Sequence, residues 1–235
     1  MKIGLFADPH YCQFNNGARM SLLSYEKIEK TMIKFKEEKV DLCICLGDLV
    51  DTAPGDTKED VLGNLRKIIG LISSFGIRYY IVPGNHDYLD LTSEELERET
   101  KNNLPPHIIG TKDKTLIFLD ANYRSDMRKF DVAGVEWTDS NLPKEQIEYL
   151  KKALDDSEKE CIVFVHENLD RTIDKNHIIK NANDICKIIE ESKKVKLVIQ
   201  GHYHKGADNI INGIRYLTLP ALCEKSDDYY MILDI

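Results

Sequence analysis

Tyr79-Tyr80-Ile81-Val82-Pro83-Gly84-Asn85-His86-Asp87 is a short apolar run that stops on Pro-Gly and then delivers three polar side chains of metal-ligand or acid–base type. Aromatic and β-branched residues suit a strand buried on both faces. Pro-Gly breaks that strand and turns the chain sharply. The same grammar recurs four more times. Ile3–Ala7 is followed by Asp8-Pro9-His10, and Leu42–Leu46 by Gly47-Asp48. Cys161–Val165 is followed by His166, and Leu197–Gln200 by Gly201-His202-Tyr203-His204. Five buried strands thus each end on ligand-type residues.

Amphipathic helices separate the strands. Tyr25, Ile28, Met32 and Phe35 recur at helical spacing, as do Val61, Leu65, Ile68 and Ile72. Ile147, Leu150 and Leu154 mark a third helix, with Pro143 expected in its first turn. Ala182, Ile185 and Ile189 mark a fourth. This β-α-β-α alternation implies α/β layers. Further on, Asn212-Gly213 lies between two β-prone runs, Asn209–Ile211 and Ile214–Leu219, a hairpin signal because both residues tolerate positive φ. His107–Gly110, Thr115–Leu119 and Met231–Asp234 read as further strands, so the chain points to two packed sheets with helices outside. No repeat or low-complexity linker divides the 235 residues, and a single domain over 1–235 is expected.

Composition narrows the function classes. Forty acidic residues against 32 Lys and Arg give a formal charge of −8, which disfavours a sequence-independent nucleic-acid binder. A small anion held by metal ions remains compatible with that charge. No apolar run reaches the roughly 18 residues of a membrane helix, and Ile3–Ala7 is too short for a secretory leader, so a cytoplasmic location is expected. Cys12, Cys43, Cys45, Cys161, Cys186 and Cys223 are scattered without a Cys-x-x-Cys pair and read as reduced core thiols.

Ligand types at strand ends predict one convergent site, because open α/β sheets build sites at the carboxyl ends of their strands. Five of the seven histidines lie in the five motifs. Imidazoles combined with carboxylates suit Mn, Fe, Zn, Ni or Co.

Taken together and in order, Asp8-x-His10, Gly47-Asp48, Gly84-Asn85-His86-Asp87, His166 and Gly201-His202-x-His204 resemble the motif set of the calcineurin-like metallophosphoesterases, across residues 3 to 204. The resemblance implies a four-layer α/β/β/α sandwich with two mixed sheets, and a site for two divalent transition-metal ions, manganese being the expected choice. It implies that Asp8, His10 and His204 hold one ion, that Asn85, His166 and His202 hold the other, and that Asp48 bridges them. A hydroxide between the ions would attack phosphorus in line. Two divalent cations against Asp8 and Asp48 leave two positive charges, which hydroxide and a phosphodiester anion neutralise. The resemblance makes His86 the general acid for the leaving oxygen, with Asp87 either orienting its imidazole or serving the turn.

Departures narrow the type. The Asp-Arg-Gly continuation of the protein phosphatases is missing, since Gly47-Asp48 runs into Leu49-Val50-Asp51-Thr52-Ala53. Asp51 stands where purple acid phosphatases carry a Tyr ligand. His166-Glu167-Asn168 departs from the His-His-Pro usage of cyclic-nucleotide phosphodiesterases. The expected function is therefore hydrolysis of a small phosphodiester or diphosphate, by contact with a small phosphorylated substrate and with no nucleic acid or membrane partner. Two alternatives belong to other classes: a metal-binding interaction module with little turnover, and a nuclease. Glu167 and Asn168 are candidates for the pocket wall. His107 is expected to cap a loop or face solvent and His177 to lie at the surface; Arg19 and Lys205 read as solvated or packing residues, and Trp137 as anchoring a loop by burial.

Overall fold

The computed structural model describes residues 1–224 and 229–235. Its strands are β1 Lys2–Phe6, β2 Leu42–Cys45, β3 Arg78–Ile81, β4 His107–Gly110, β5 Lys114–Phe118, β6 Glu160–Phe164, β7 Val195–Gln200, β8 Ala207–Ile211, β9 Ile214–Thr218 and β10 Tyr230–Asp234. The helices are α1 Ser24–Glu37, α2 Lys58–Ser74, α3 Ser93–Thr100, the single turn α4 Phe130–Ala133, α5 Lys144–Asp156 and α6 Ala182–Ser192. One sheet runs β10-β1-β2-β3 and the other β4-β5-β6-β7-β9-β8. β1, β2 and β3 are mutually parallel, as are β5, β6, β7 and β9, while β10, β4 and β8 are antiparallel edges.

Alternation within each strand builds the layers. Ile3 and Leu5 of β1, Leu42 and Ile44 of β2, Leu116 and Phe118 of β5, and Ile162 and Phe164 of β6 meet between the sheets. Phe6, Cys43 and Cys45 point the other way, into a core shared with Ile28, Met32 and Phe35 of α1 and Leu65, Ile68 and Ile72 of α2. Cys161, Val163 and Val198 likewise face Leu150 and Leu154 of α5 and Ile185 and Ile189 of α6. Two-sided burial explains why these strands read as continuous apolar runs. The resulting order of layers is α/β/β/α. All six cysteines are buried and free.

Local chemistry explains most boundaries. α2 starts on a capping box in which the Thr57 hydroxyl accepts from Asp60 N and the Asp60 carboxylate accepts from Thr57 N. The β8–β9 hairpin turns through Asn212 and Gly213 at φ of 51° and 80°, the type I′ signature. Pro143 sits one position earlier than expected, as the extended cap of α5. α3 carries little helical pattern in its sequence. Only Leu96 and Thr100 of its eight residues are buried, so its periodicity is faint, although Thr92 and Glu95 form a capping box. His107 does not face solvent: it begins β4 and stacks on Phe118 with ring centroids 4.5 Å apart.

Candidate metal centre

Each of the five strand ends delivers its side chains to one place. The loop after β1 pairs with the loop after β2: Asp8 N donates to Gly47 O at 3.0 Å, His10 N to Asp48 O at 2.8 Å, and Tyr11 N to Leu49 O at 3.0 Å. His86 N, after β3, donates to Asp48 Oδ1 at 2.8 Å. His202 N, after β7, donates to Asp8 Oδ1 at 3.1 Å, and Gly201 N donates to His166 O at 3.1 Å. Asp8, His10, Asp48 and His202 all hold left-handed backbone, with φ of 53°, 44°, 51° and 65°. Such residues cost about 1–3 kcal/mol each and persist only where the surroundings over-determine them. Gly47, at φ +90°, has no such choice: a Cβ there would lie 2.4 Å from His166 Nδ1 and 2.6 Å from Gly84 N.

Asp48 sits at the middle. With Oδ1 held by the His86 amide, Oδ2 lies 3.3 Å from His10 Nε2 and 3.5 Å from His166 Nε2. On one side, Asp8, His10, Asp48 and His204 bring donor atoms within 4.8 Å of one another. His204 Nε2 lies 3.0 Å from His10 Nε2 and 3.6 Å from Asp8 Oδ1. On the other side, Asp48, His166 and His202 form a second such group. Here Asn85 Oδ1, His166 Nε2 and His202 Nε2 are buried without any hydrogen-bond partner. Buried polar atoms are rarely left unpaired, so three orphaned lone pairs beside a carboxylate fit a cation.

The outer nitrogens of the imidazoles support the same reading. His166 Nδ1 donates to Leu46 O at 2.5 Å, which leaves its Nε2 as the lone pair. His204 Nδ1 pairs with Glu224 Oε1 at 2.9 Å. Metal-bound histidines are typically oriented by such partners. Burial, only partly offset by Asp48, lowers His10 to about 3. Burial and then the neighbouring His166 hold His202 well below its ordinary value. Both are thus neutral, the state that ligation needs. Burial opposes charge on His166 too, but Asp48 and Asp8 outweigh it and raise its pKa well above the usual range, so the negative charge of these carboxylates draws positive charge to this position. Cys223 lies near His10 and His204, but burial pushes its thiol up and keeps it protonated.

His86 lines an open pocket of about 530 Å³ over this cluster. Its ring stands edge-on to His10, centroids 4.5 Å apart, and its Nδ1 lies 2.9 Å from Asp51 Oδ1. Burial would discharge His86, yet Asp48 and the Asp51 hydrogen bond raise its pKa above the ordinary value. Asp51 also accepts from Arg19 Nη1 at 2.7 Å and lies 3.5 Å from His10 Nδ1. Asp87 does not touch the imidazole. It accepts from Leu49 N at 2.8 Å and Gly84 N at 2.9 Å, tying the β2 and β3 loops together. Consecutive residues of the 3₁₀ turn His86–Tyr88 point about 120° apart, so sequence neighbours diverge.

Other expectations shift as well. Asn168 is a brace, not pocket wall: its amide donates to Gly201 O at 2.9 Å and its Oδ1 accepts from Thr218 and Gln200. Glu167 is fully buried with both oxygens unpaired, and burial raises it to about 8. Trp137 is 40% exposed and, with His177, lines the pocket. Neither carried a signal in sequence. Asp51 carried a weak one, its position three residues after Asp48.

Residues 1–206 match the model of the calcineurin-like phosphoesterases. The chain belongs to that family. It is therefore a metallophosphoesterase, of a family that works with divalent metal ions. A curated relative, the 3',5'-cyclic adenosine monophosphate phosphodiesterase CpdA of Haemophilus influenzae, is 24% identical over 243 residues, covering 100% of this chain and 81% of its own. A probable cyclic nucleotide phosphodiesterase of Coxiella burnetii is 25% identical over 174 residues, covering 72% and 65%. Among solved structures, a dimetal phosphatase from Danio rerio superposes with a TM-score of 0.82 at 15% identity, over 98% of this chain and 91% of that one. That likeness establishes the fold. Among the described residues no helix is long and apolar enough to cross a membrane.

Proposed function

We propose that this phosphoesterase hydrolyses a small phosphodiester or diphosphate at a pair of divalent ions, with manganese the preferred metal. The position of Asp48 carries the reading: one carboxylate oxygen faces His10 on one side and His166 on the other, at 3.3 and 3.5 Å. Asp8, His10 and His204 complete one ion's set, Asn85, His166 and His202 the other's. Two bound ions would supply an activated water as nucleophile and positive charge for the phosphoryl oxygens. Asp8 and Asp48 neutralise half of the four positive charges, which leaves the site attractive to an anion. His86 lines the pocket, where its imidazole would protonate the leaving oxygen, and Asp51 holds the ring by Nδ1. Asp87 acts as a positioning residue by fixing the loops that carry Asp48 and His86. Cyclic nucleotides, the substrates named for the bacterial relatives, are one member of the proposed class.

The test is a substrate panel with manganese-loaded protein: bis(p-nitrophenyl) phosphate, cyclic nucleotides, nucleoside diphosphate compounds, phosphomonoesters and single-stranded DNA. Turnover of small diesters or diphosphates is expected. Two bound equivalents of metal with no turnover would favour a binding module, and preference for DNA would favour a nuclease.

A further inference from the structure

We propose that Trp137 forms a stacking subsite for a nucleobase, so that the phosphorus compounds this site accepts are nucleotide esters; the inference rests on the hydrolase reading above. Trp137 is the single tryptophan of the chain. A ring of that size normally buries most of its surface, yet Trp137 is 40% exposed, and it lines the pocket over the metal centre. Its position is fixed. The turn carrying it closes through Asp139 N to Glu136 O at 2.7 Å, Asn141 N bonds to Ala121 O at 3.1 Å, and Lys180 N bonds to Ser140 O at 2.8 Å. The ring leans on His177 and His202, with centroids 5.4 and 5.9 Å away and planes tilted by 55° and 57°. His177 is itself held, since its carbonyl accepts from Asn168 N at 3.2 Å. These contacts brace the indole beside a candidate ligand, His202, and leave ring surface facing the pocket.

Charge decides what fits that surface. Lys205 and Arg19 line the same pocket and suit phosphate oxygens. The three carboxylates of the wall are already engaged: Asp48 in the metal cluster, Glu224 with His204 Nδ1, and Asp174 capping the turn Lys175–His177 through Asn176 N at 2.9 Å. A quaternary ammonium would need converging aromatic faces and free negative charge. Here His177 and Tyr203 meet edge to face at 70°, and Trp137 is tilted by 55° to His177, so the rings do not converge into a cage. A flat, uncharged base fits better, and the volume of about 530 Å³ is in the range of small-ligand sites.

Two readouts test this. Fluorescence of the lone tryptophan in metal-loaded wild type should be quenched saturably by adenosine 5'-monophosphate and not by ribose 5-phosphate. Equal quenching by both, or quenching by glycerophosphocholine in place of the nucleotide, would overturn the subsite. The second readout compares thymidine 5'-(p-nitrophenyl) phosphate with ethyl p-nitrophenyl phosphate, which share one leaving group. Base stacking on an aromatic ring supports about five- to hundredfold preference for the nucleoside ester. Trp137→Ala should erase that preference, mainly through KM, and Trp137→Phe should restore most of it. A Trp137→Ala loss equal on both esters contradicts the proposal. If neither ester is turned over, the hydrolase reading fails, and the quenching titration still decides the subsite alone.

Discussion

Replacing Asp51 by Asn separates the leaving-group chemistry from metal binding. The carboxylate lies 2.9 Å from His86 Nδ1, accepts from Arg19 at 2.7 Å, and stands 3.5 Å from His10 Nδ1. Asp51→Asn keeps the shape and removes the charge that favours the imidazolium. A hydrogen bond to a charged group is worth about 1.5–3 kcal/mol. An amide oxygen retains part of it, which leaves a loss of about 10–100-fold where protonated His86 is needed. The assay is kcat at saturating manganese on two diesters, one with p-nitrophenolate and one with an aliphatic alkoxide as leaving group. The alkoxide needs a proton as the bond breaks, whereas p-nitrophenolate departs without one. The alkoxide ester should therefore lose about 10–100-fold and the p-nitrophenyl ester no more than about threefold, a part of the roughly 10²–10⁴-fold that general-acid catalysis supplies. His86→Ala should show the same asymmetry, larger. An equal fall on both esters would refute the acid role and leave Asp51 as a support for His10 alone.

Asp48→Asn should lower occupancy of both ions, as elemental analysis of the purified variant will read; two full equivalents would remove the bridge. Glu224→Gln weakens the partner of His204 Nδ1, and metal affinity by competition with a chelator should fall about 10–100-fold. Gly4→Ala would drive a Cβ to 2.5 Å from the Phe35 ring, between β1 and α1. Overpacking of that kind costs about 1–3 kcal/mol, so the urea midpoint should drop while metal content per folded chain holds.

The layers were legible because burial on both faces left each central strand as an unbroken apolar run. The strand ends were legible because polar ligand types follow those runs directly, and the structure brings Asp8, Asp48, Asn85, His166 and His204 to one place. What surrounds them was not. Asp51 acts across space on His86, whereas adjacency in sequence pointed to Asp87, and the 3₁₀ turn sends those two side chains apart. Trp137 reads as a buried loop anchor because a large apolar ring predicts burial; only the path of the 134–142 loop places it over a cavity. His177 sits in a polar stretch, and its place beside His202 comes from a pairing between Asn168 and Ile178 that no local pattern announces.

Anomalous diffraction from manganese-soaked crystals reads the central arrangement directly. Two peaks about 3.5–4 Å apart, flanking the Asp48 carboxylate, are expected for a two-metal site, one beside Asp8, His10 and His204 and the other beside Asn85, His166 and His202. A single peak at full metal saturation, or two peaks with Asp48 touching only one, would contradict it.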